Sequence, residues 1–173
     1  MLLIYDNHCY PDDFVGFIRF NHEIDYRLTF NLERKKGNSE RHRTILRGAV
    51  DAKGGTRLYN AVDCCVTMAN IAGDEASTND TWIVALTDGE SSDNSDSVVQ
   101  RIRAINQERL SQIHLILVGC EVSNIVVEAC KRACTVTDKS IYIDARGGLD
   151  QMDEAFEHVA SIISGSAVTM ETF

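Results

Sequence analysis

The sequence contains few of the residues that mark linkers and low-complexity segments. Its 173 residues include one proline and 11 glycines, which excludes a repetitive or linker-like chain. No apolar run approaches the roughly 18 residues that a membrane-spanning helix needs, and the first residues lack the basic start of a secretion signal. The length and the 44% hydrophobic content predict one globular domain with a full core, spanning residues 1–173.

Positive charge is also scarce. The chain has 17 Lys and Arg residues against 26 Asp and Glu residues, which gives a formal net charge of -9. An acidic protein of this size repels phosphate backbones, so we expect no nucleic-acid partner. A cation or the surface of another protein fits this charge better.

Cysteine is present, but not in a pattern that binds zinc or forms a redox pair. None of the six cysteines belongs to a C-x-x-C motif. A domain of this size does not need disulfides, so we interpret the thiols as small buried hydrophobic groups in a reducing compartment and expect a cytoplasmic protein. The cysteines are Cys9, Cys64, Cys65, Cys120, Cys130 and Cys134.

The first third of the chain predicts a hairpin followed by a short helix. Residues 14–20 are aromatic and β-branched, and residues 26–30 alternate apolar with polar side chains, as the two arms of a hairpin would. A charged loop is expected over residues 33–39. Ser39 then caps a predicted helix that extends to about residue 52.

The rest of the chain alternates predicted helices with short apolar strands. This order predicts an α/β fold in which helices flank a doubly wound, mostly parallel sheet, with an antiparallel strand at its edge. Ligands of such sheets bind beyond the C-terminal ends of the parallel strands, and Asp88 follows one of these ends. Helices are predicted over 58–71, 93–109, 122–134 and 149–163, and strands over 82–86, 113–118 and 140–143.

Four segments, in order and at suitable spacing, resemble the von Willebrand factor type A domain. Residues 54–62 (GGTRLYNAV) are similar to the family's Gly-Gly-Thr segment before a helix, and residues 83–90 (IVALTDGE) to its strand ending in Leu-Thr-Asp-Gly. Residues 13–21 (DFVGFIRFN) resemble its second strand, and residues 116–119 (ILVG) its next parallel strand. The resemblance implies a Rossmann-like fold and a protein-binding function.

The resemblance also implies a metal site at the C-terminal edge of the sheet. Thr56 matches the family's threonine ligand and Asp88 its second aspartate. Mg²⁺ prefers about six oxygen ligands, so an acidic side chain of a protein partner can complete the coordination and bridge the two molecules. We therefore expect Thr56 and Asp88 to face the metal. The neighbouring residues expected to contact the partner are Arg57, Tyr59, Glu90 and Ser91.

The sequence departs from the family where the first strand should carry an Asp-x-Ser-x-Ser cluster. Residues 1–5 resemble instead the last turn of the family's first helix, and residues 1–12 the remnant of that helix and its loop. The matching fold is therefore N-terminally truncated. Three explanations remain open: a missing upstream segment, a strand supplied by a partner or a second copy, which would make a homo-oligomer, or a sheet that pairs differently across the gap.

Other interpretations of the same residues remain open. Asp88 fits an ordinary Asp-Gly turn, and Thr56 fits a helix cap. The chain could be a metal-independent intracellular scaffold, or a Mg²⁺-dependent phosphoester hydrolase that uses Asp88 and Glu90. No phosphate-binding loop and no nucleophile–base pair is visible, so we do not predict an enzyme. The histidines show no ligand spacing and are expected to be exposed, except His114, which lies on a predicted strand.

Overall fold

The computed structural model describes residues 2–25, 29–48, 56–71, 79–89, 91 and 93–165. These residues form an α/β structure in which helices flank a three-stranded parallel sheet, beside a small antiparallel sheet. The helices are α1 (Leu2–His8), α2 (Ser39–Leu46), α3 (Leu58–Ile71), α4 (Asp96–Glu108), α5 (Asn124–Ala133) and α6 (Leu149–Ile163). The strands are β1 (Phe14–Phe17), β2 (Phe30–Arg34), β3 (Thr81–Thr87), β4 (Ile113–Gly119) and β5 (Ile141–Asp144).

The parallel sheet has the order β3-β4-β5, and each predicted strand of this part of the chain is present. Every residue of β4 is buried, as expected for an apolar strand that is covered on both faces. The face of β4 that carries Leu115 and Leu117 packs against α3, α4 and α5. The face that carries Ile116 and Val118 packs against α6. Helices therefore cover both faces of the sheet.

The second strand of the antiparallel sheet lies further along the chain than the sequence predicts. β1 pairs with β2, in which Phe30 is buried and Arg34 lies opposite Phe14. The prediction of a charged loop from residue 33 is wrong because Glu33 and Arg34 belong to β2, where an outer strand tolerates charged side chains. Residues 26–28 of the predicted second arm lie outside the described residues.

Two buried polar residues join α1 and α2 to the antiparallel sheet. The Lys35 ammonium donates to the carbonyl oxygens of Tyr5 and Cys9, both at 2.6 Å, at the C-terminal end of α1. His42 is fully buried, stacks on Phe30 and hydrogen-bonds with Tyr5 Oη at 2.9 Å. The expectation that His42 is exposed was wrong, because these polar and aromatic partners replace water around its ring.

The start of the chain is helical, as predicted, and α1 packs against α6.

Ser39 does not cap α2, because the cap position is Asn38 and the Ser39 hydroxyl donates to the carbonyl of Lys35 at 3.0 Å. The prediction that this helix extends to about residue 52 was wrong, because α2 ends at Leu46 and Arg47 occupies its C-cap position. Residues 49–52 lie outside the described residues. The thiols of all six cysteines are free.

None of the helices in the described part of the chain combines the length and the apolar character that crossing a lipid bilayer requires.

Candidate functional site at the C-terminal edge of the sheet

The three parallel strands end at one edge of the sheet. Thr87 pairs with Gly119, and Gly119 pairs with Asp144, so the ends of β3, β4 and β5 are in register. Asp88 follows β3 directly and its side chain is exposed at this edge. The position therefore agrees with the general location of ligand sites in parallel α/β sheets.

Thr56 lies beside the end of β3, although more than 30 residues separate the two in sequence. Thr56 forms a parallel β-bridge with Ser91, in the loop that follows β3. A side-chain carbon added to Gly89 would lie 3.2 Å from Thr56 Oγ1. The threonine hydroxyl therefore lies near Gly89, the residue that follows Asp88.

The loop after β3 is tied to the first turn of α3. The Leu58 N–H donates to Ser91 Oγ at 3.1 Å, and the Asn60 N–H donates to Asp93 Oδ2 at 2.6 Å. The Tyr59 N–H reaches Asp93 Oδ1 at 3.4 Å, and the Ser91 hydroxyl donates to the same carboxylate. Asp93 thus provides the acceptor that the free N–H groups at the start of a helix require.

This role of Asp93 was not predicted, because the sequence pattern placed residue 93 at the start of the next helix. α4 begins three residues later, at Asp96, and the Asp93 side chain is engaged with α3. One signal was available. Arg57, which precedes α3, has no side-chain acceptor for the first N–H groups of the helix, so these groups need water or an acceptor from elsewhere in the chain.

Not all of the residues that were expected to contact a partner are exposed at this edge of the sheet. Arg57 is exposed, and its N–H donates to the Asn21 carbonyl at 2.9 Å. Tyr59 is only 5% exposed, and its hydroxyl points at Cys130 Sγ, 4.0 Å away. Burial raises the pKa of the Tyr59 hydroxyl. Tyr59 is therefore a core residue rather than a contact residue, because the first turn of α3 directs it inward. Glu90 lies outside the described residues.

This edge carries negative charge. Burial raises the pKa of the Cys120 thiol, and the nearby carboxylates of Asp88 and Glu121 raise it further. Asp144 is neutralised by Arg146, whose hydrogen bonds hold the pKa of that carboxyl below its ordinary value. The carboxylates of Asp88 and Glu121 have no such basic neighbour among the described residues. A cation or a basic group would therefore be attracted to this edge.

Comparison with protein-family models finds no matching family, and comparison with curated proteins finds no matching sequence. The resemblance to the von Willebrand A domain therefore stays a prediction from the sequence motifs.

The chemistry of the edge is limited by its ligands. No group of three or more His, Cys, Asp or Glu side chains that could hold a metal is present in the described part of the chain. Thr56 and Asp88 provide one hydroxyl and one carboxylate, and the Ser91 hydroxyl is already directed at Asp93. These oxygens suit Mg²⁺ in type, but fill only about two of its roughly six positions.

An open cleft of about 640 Å³ lies further along the same edge, beside the ends of β4 and β5. Arg146 crosses it, holding Asp144 with two nitrogens and donating to Asn124 Oδ1 at 2.7 Å. All three nitrogens of the guanidinium group therefore donate to neighbouring side chains. The cleft is lined by Glu121, Val122, Asp144, Arg146 and Gln151.

A histidine network lies at the opposite, N-terminal edge of the sheet. His114 is fully buried, with Nδ1 2.7 Å from Thr137 Oγ1. Its Nε2 lies 3.1 Å from Asp80 Oδ2, outside good hydrogen-bond geometry. Thr137 in turn contacts Ser140 Oγ at 2.7 Å, and that oxygen accepts the Leu115 N–H. The arrangement joins the starts of β3, β4 and β5.

Proposed function

We propose that this chain is a protein-binding module of the von Willebrand A type, with a doubly wound, Rossmann-like fold. Its contact surface is the metal-site face, formed by Thr56, Arg57, Asp88 and Ser91. The observation that supports the proposal is the β-bridge between Thr56 and Ser91, which brings the threonine beside the end of β3. In the family, the threonine and aspartate ligands come from the same two segments. The order of helices and strands after residue 56 is also compatible with that fold.

In the metal-dependent form of this proposal, Thr56 Oγ1 and the Asp88 carboxylate would hold Mg²⁺. The ion would supply a positive charge that binds a carboxylate of the partner. With two ligands from the described residues, affinity for the ion alone should be weak. The exposed position of Asp88 leaves room for water or for a partner's side chain.

A second candidate is a metal-independent scaffold that uses another surface. It is favoured by the bonds of Ser91 and Asp93 to the first turn of α3, which fix the loop without an ion. Both candidates are compatible with a cytoplasmic protein, which the free thiols support.

Calorimetric titration with Mg²⁺ separates these candidates. The wild-type protein, Asp88→Ala and a matched control, Asp138→Ala, should be compared. Asp138 is also exposed, but lies in the loop before β5, at the other edge of the sheet. Binding of a glutamate-containing peptide, with and without Mg²⁺, tests the bridging role.

Heat that disappears in Asp88→Ala and persists in Asp138→Ala would support the metal-dependent form, particularly if the peptide binds only with Mg²⁺. Absence of heat in the wild-type protein would refute that form and leave the scaffold. Turnover of a phosphoester by the wild-type protein, lost in Asp88→Ala, would overturn both candidates in favour of a hydrolase.

A further inference from the structure

The open cleft beside the ends of β4 and β5 is bordered by the starts of two helices. α5 begins at Asn124, whose Oδ1 accepts a hydrogen bond from Arg146 Nη1 at 2.7 Å. α6 begins at Leu149, two residues before Gln151. Arg146 and Gln151 both line the cleft, so the first turns of α5 and α6 lie at its rim. We call this space the acidic cleft, and its lining residues are Glu121, Val122, Asp144, Arg146 and Gln151.

Two large apolar side chains are exposed on these first turns. Ile125 in α5 is 79% exposed, and Leu149 in α6 is 82% exposed. The next residues of α5, Val126 and Val127, are buried, as is usual for the apolar side chains of a helix that covers a sheet. Single exposed apolar residues are common on protein surfaces, but two beside one cleft favour a contact surface.

The charge of the acidic cleft is negative. Glu121 and Asp144 line it with two carboxylates, and Arg146 donates to Asp144 through Nε at 2.9 Å and Nη2 at 2.6 Å. Glu121 is exposed, and no basic residue in the described part of the chain pairs with it. Burial, Asp88 and Glu121 all raise the pKa of the Cys120 thiol, so both carboxylates lie near that sulfur. A basic group is therefore attracted to the cleft.

The backbone of Glu121 has an uncommon conformation. Its φ is 54°, and among the described residues it is the only one other than glycine with a positive φ. Glycine adopts such a conformation at no steric cost, so the turn by itself favours glycine at this position. The glutamate therefore provides something that the backbone of the turn does not require.

We propose that the acidic cleft binds a segment of a partner protein in which a lysine or arginine is flanked by apolar residues. The basic side chain of this segment lies beside Glu121, and its apolar neighbours pack on Ile125 and Leu149. Protein interfaces commonly combine apolar contacts with complementary charges of this kind. The proposal rests on the proposed protein-binding function, and it names the surface that the metal-independent scaffold uses.

Two observations favour a partner protein over other occupants. A small cation would neutralise the carboxylates but would leave Ile125 and Leu149 in water. A second copy of this chain would bring a further net charge of -9 to an acidic surface, which opposes self-association. A basic and apolar segment meets both conditions.

The probe is a fluorescein-labelled peptide with the sequence Gly-Ser-Leu-Arg-Leu-Ser-Gly. One control peptide has glutamate in place of the arginine, and a second has serine in place of both leucines. Fluorescence anisotropy with the full chain, in buffer without Mg²⁺, should give a Kd on the order of 100 µM for the probe. Both control peptides should bind about tenfold more weakly or less.

Glu121→Gln tests the charge. It removes the unpaired carboxylate and should weaken probe binding by about tenfold. The matched control is Glu108→Gln, since Glu108 is also exposed but lies at the end of α4, at the opposite edge of the sheet. Glu121→Gly should weaken binding to the same extent and unfold at no lower urea concentration than the wild type, because glycine suits the positive φ.

Ile125→Ser tests the apolar contact. Because the side chain is exposed, the fold should be unaffected, while probe binding should weaken by about threefold or more. Leu110→Ser is the matched control, since Leu110 is fully exposed after α4, far from the acidic cleft. Circular dichroism checks the fold of each variant.

Probe binding that falls in Glu121→Gln and Ile125→Ser, but not in the two matched controls, would support the proposal. Absence of probe binding would overturn it, and so would an equal loss in Glu121→Gln and Glu108→Gln, which would indicate only an effect of net charge. Equal binding of the probe and the serine peptide would also overturn it, because the cleft would then select a cation alone. Dimers that Glu121→Gln dissolves would overturn it in favour of a second copy.

These outcomes are separate from those of the Mg²⁺ titration. The peptide measurements contain no Mg²⁺ and leave Asp88 unchanged, so a failure of the acidic cleft to bind the probe does not affect the heat expected at Asp88. Absence of that heat likewise leaves the peptide result unchanged.

Discussion

The carboxylate of Asp93 should be a measurable contributor to stability, although it lies in a surface loop. Asp93→Ala removes the acceptor for two N–H groups of α3 and for the Ser91 hydroxyl. Loss of a side chain that caps a helix costs about 0.5–2 kcal/mol, and loss of a negative charge at a helix N-terminus adds about 0.3–1 kcal/mol. The Asp93 side chain is only half-buried, so we expect a total loss near 1–2 kcal/mol.

Urea unfolding, followed by the fluorescence of the single tryptophan, Trp82, measures this loss. Asp93→Asn retains an acceptor without the charge and should lose about half as much. Asp153→Ala, which removes an exposed carboxylate within α6, provides the control and should leave the midpoint unchanged. Hydrogen exchange at the Asn60 amide should accelerate in Asp93→Ala.

The reasoning would be refuted if Asp93→Ala and Asp153→Ala unfolded at the same urea concentration. It would also fail if exchange at Asn60 were unchanged. Either result would mean that water replaces the Asp93 carboxylate at the start of α3 without cost.

Two further predictions concern other parts of the sheet. The pKa of Asp80 is lowered to about 2 from 3.8, chiefly because the Gln112 N–H donates to it. The ionised Asp80 carboxylate should stabilise the fold fully above pH 4, and this stabilisation should be lost as the pH falls from about 4 to 2. Since the side chain is 35% exposed, the loss is at most about 1 kcal/mol, and Asp80→Asn should abolish it in urea titrations across that range. Tyr142 Oη is buried without a hydrogen-bond partner among the described residues. Tyr142→Phe removes this unsatisfied group and should therefore raise the free energy of unfolding by about 1 kcal/mol. A lower thermal midpoint in the variant would contradict this prediction.

The parallel part of the fold was predictable from local pattern. α6 spans Leu149–Ile163 as expected, and β3 and β4 extend each predicted strand by only one or two residues. These segments have strong apolar periodicity and are bounded by turn residues, so local sequence and burial agree. The antiparallel sheet was harder, because β2 mixes Phe30 and Leu32 with Glu33 and Arg34, and charge alone suggested a loop.

The candidate site was predictable only where one segment carries the signal. The position of Asp88 after β3 follows from an apolar run that ends in Asp-Gly. The inward direction of Tyr59 and the bonds of Asp93 to α3 could not be predicted in this way, because both depend on how α3 lies against the loop after β3. His42 is similar: no local pattern shows that Tyr5 and Phe30 will enclose it.

The sequence alone determined the alternation of helices and strands and the residues at the end of β3, because hydrophobic periodicity acts over a few neighbours. Only the tertiary structure decided that Thr56 pairs with Ser91 beside the end of β3, and that the Asp93 carboxylate accepts from the first turn of α3. Those relations join segments that are far apart in the chain. They depend on backbone pairing and on packing against α3, and neither is encoded in the residues of one segment.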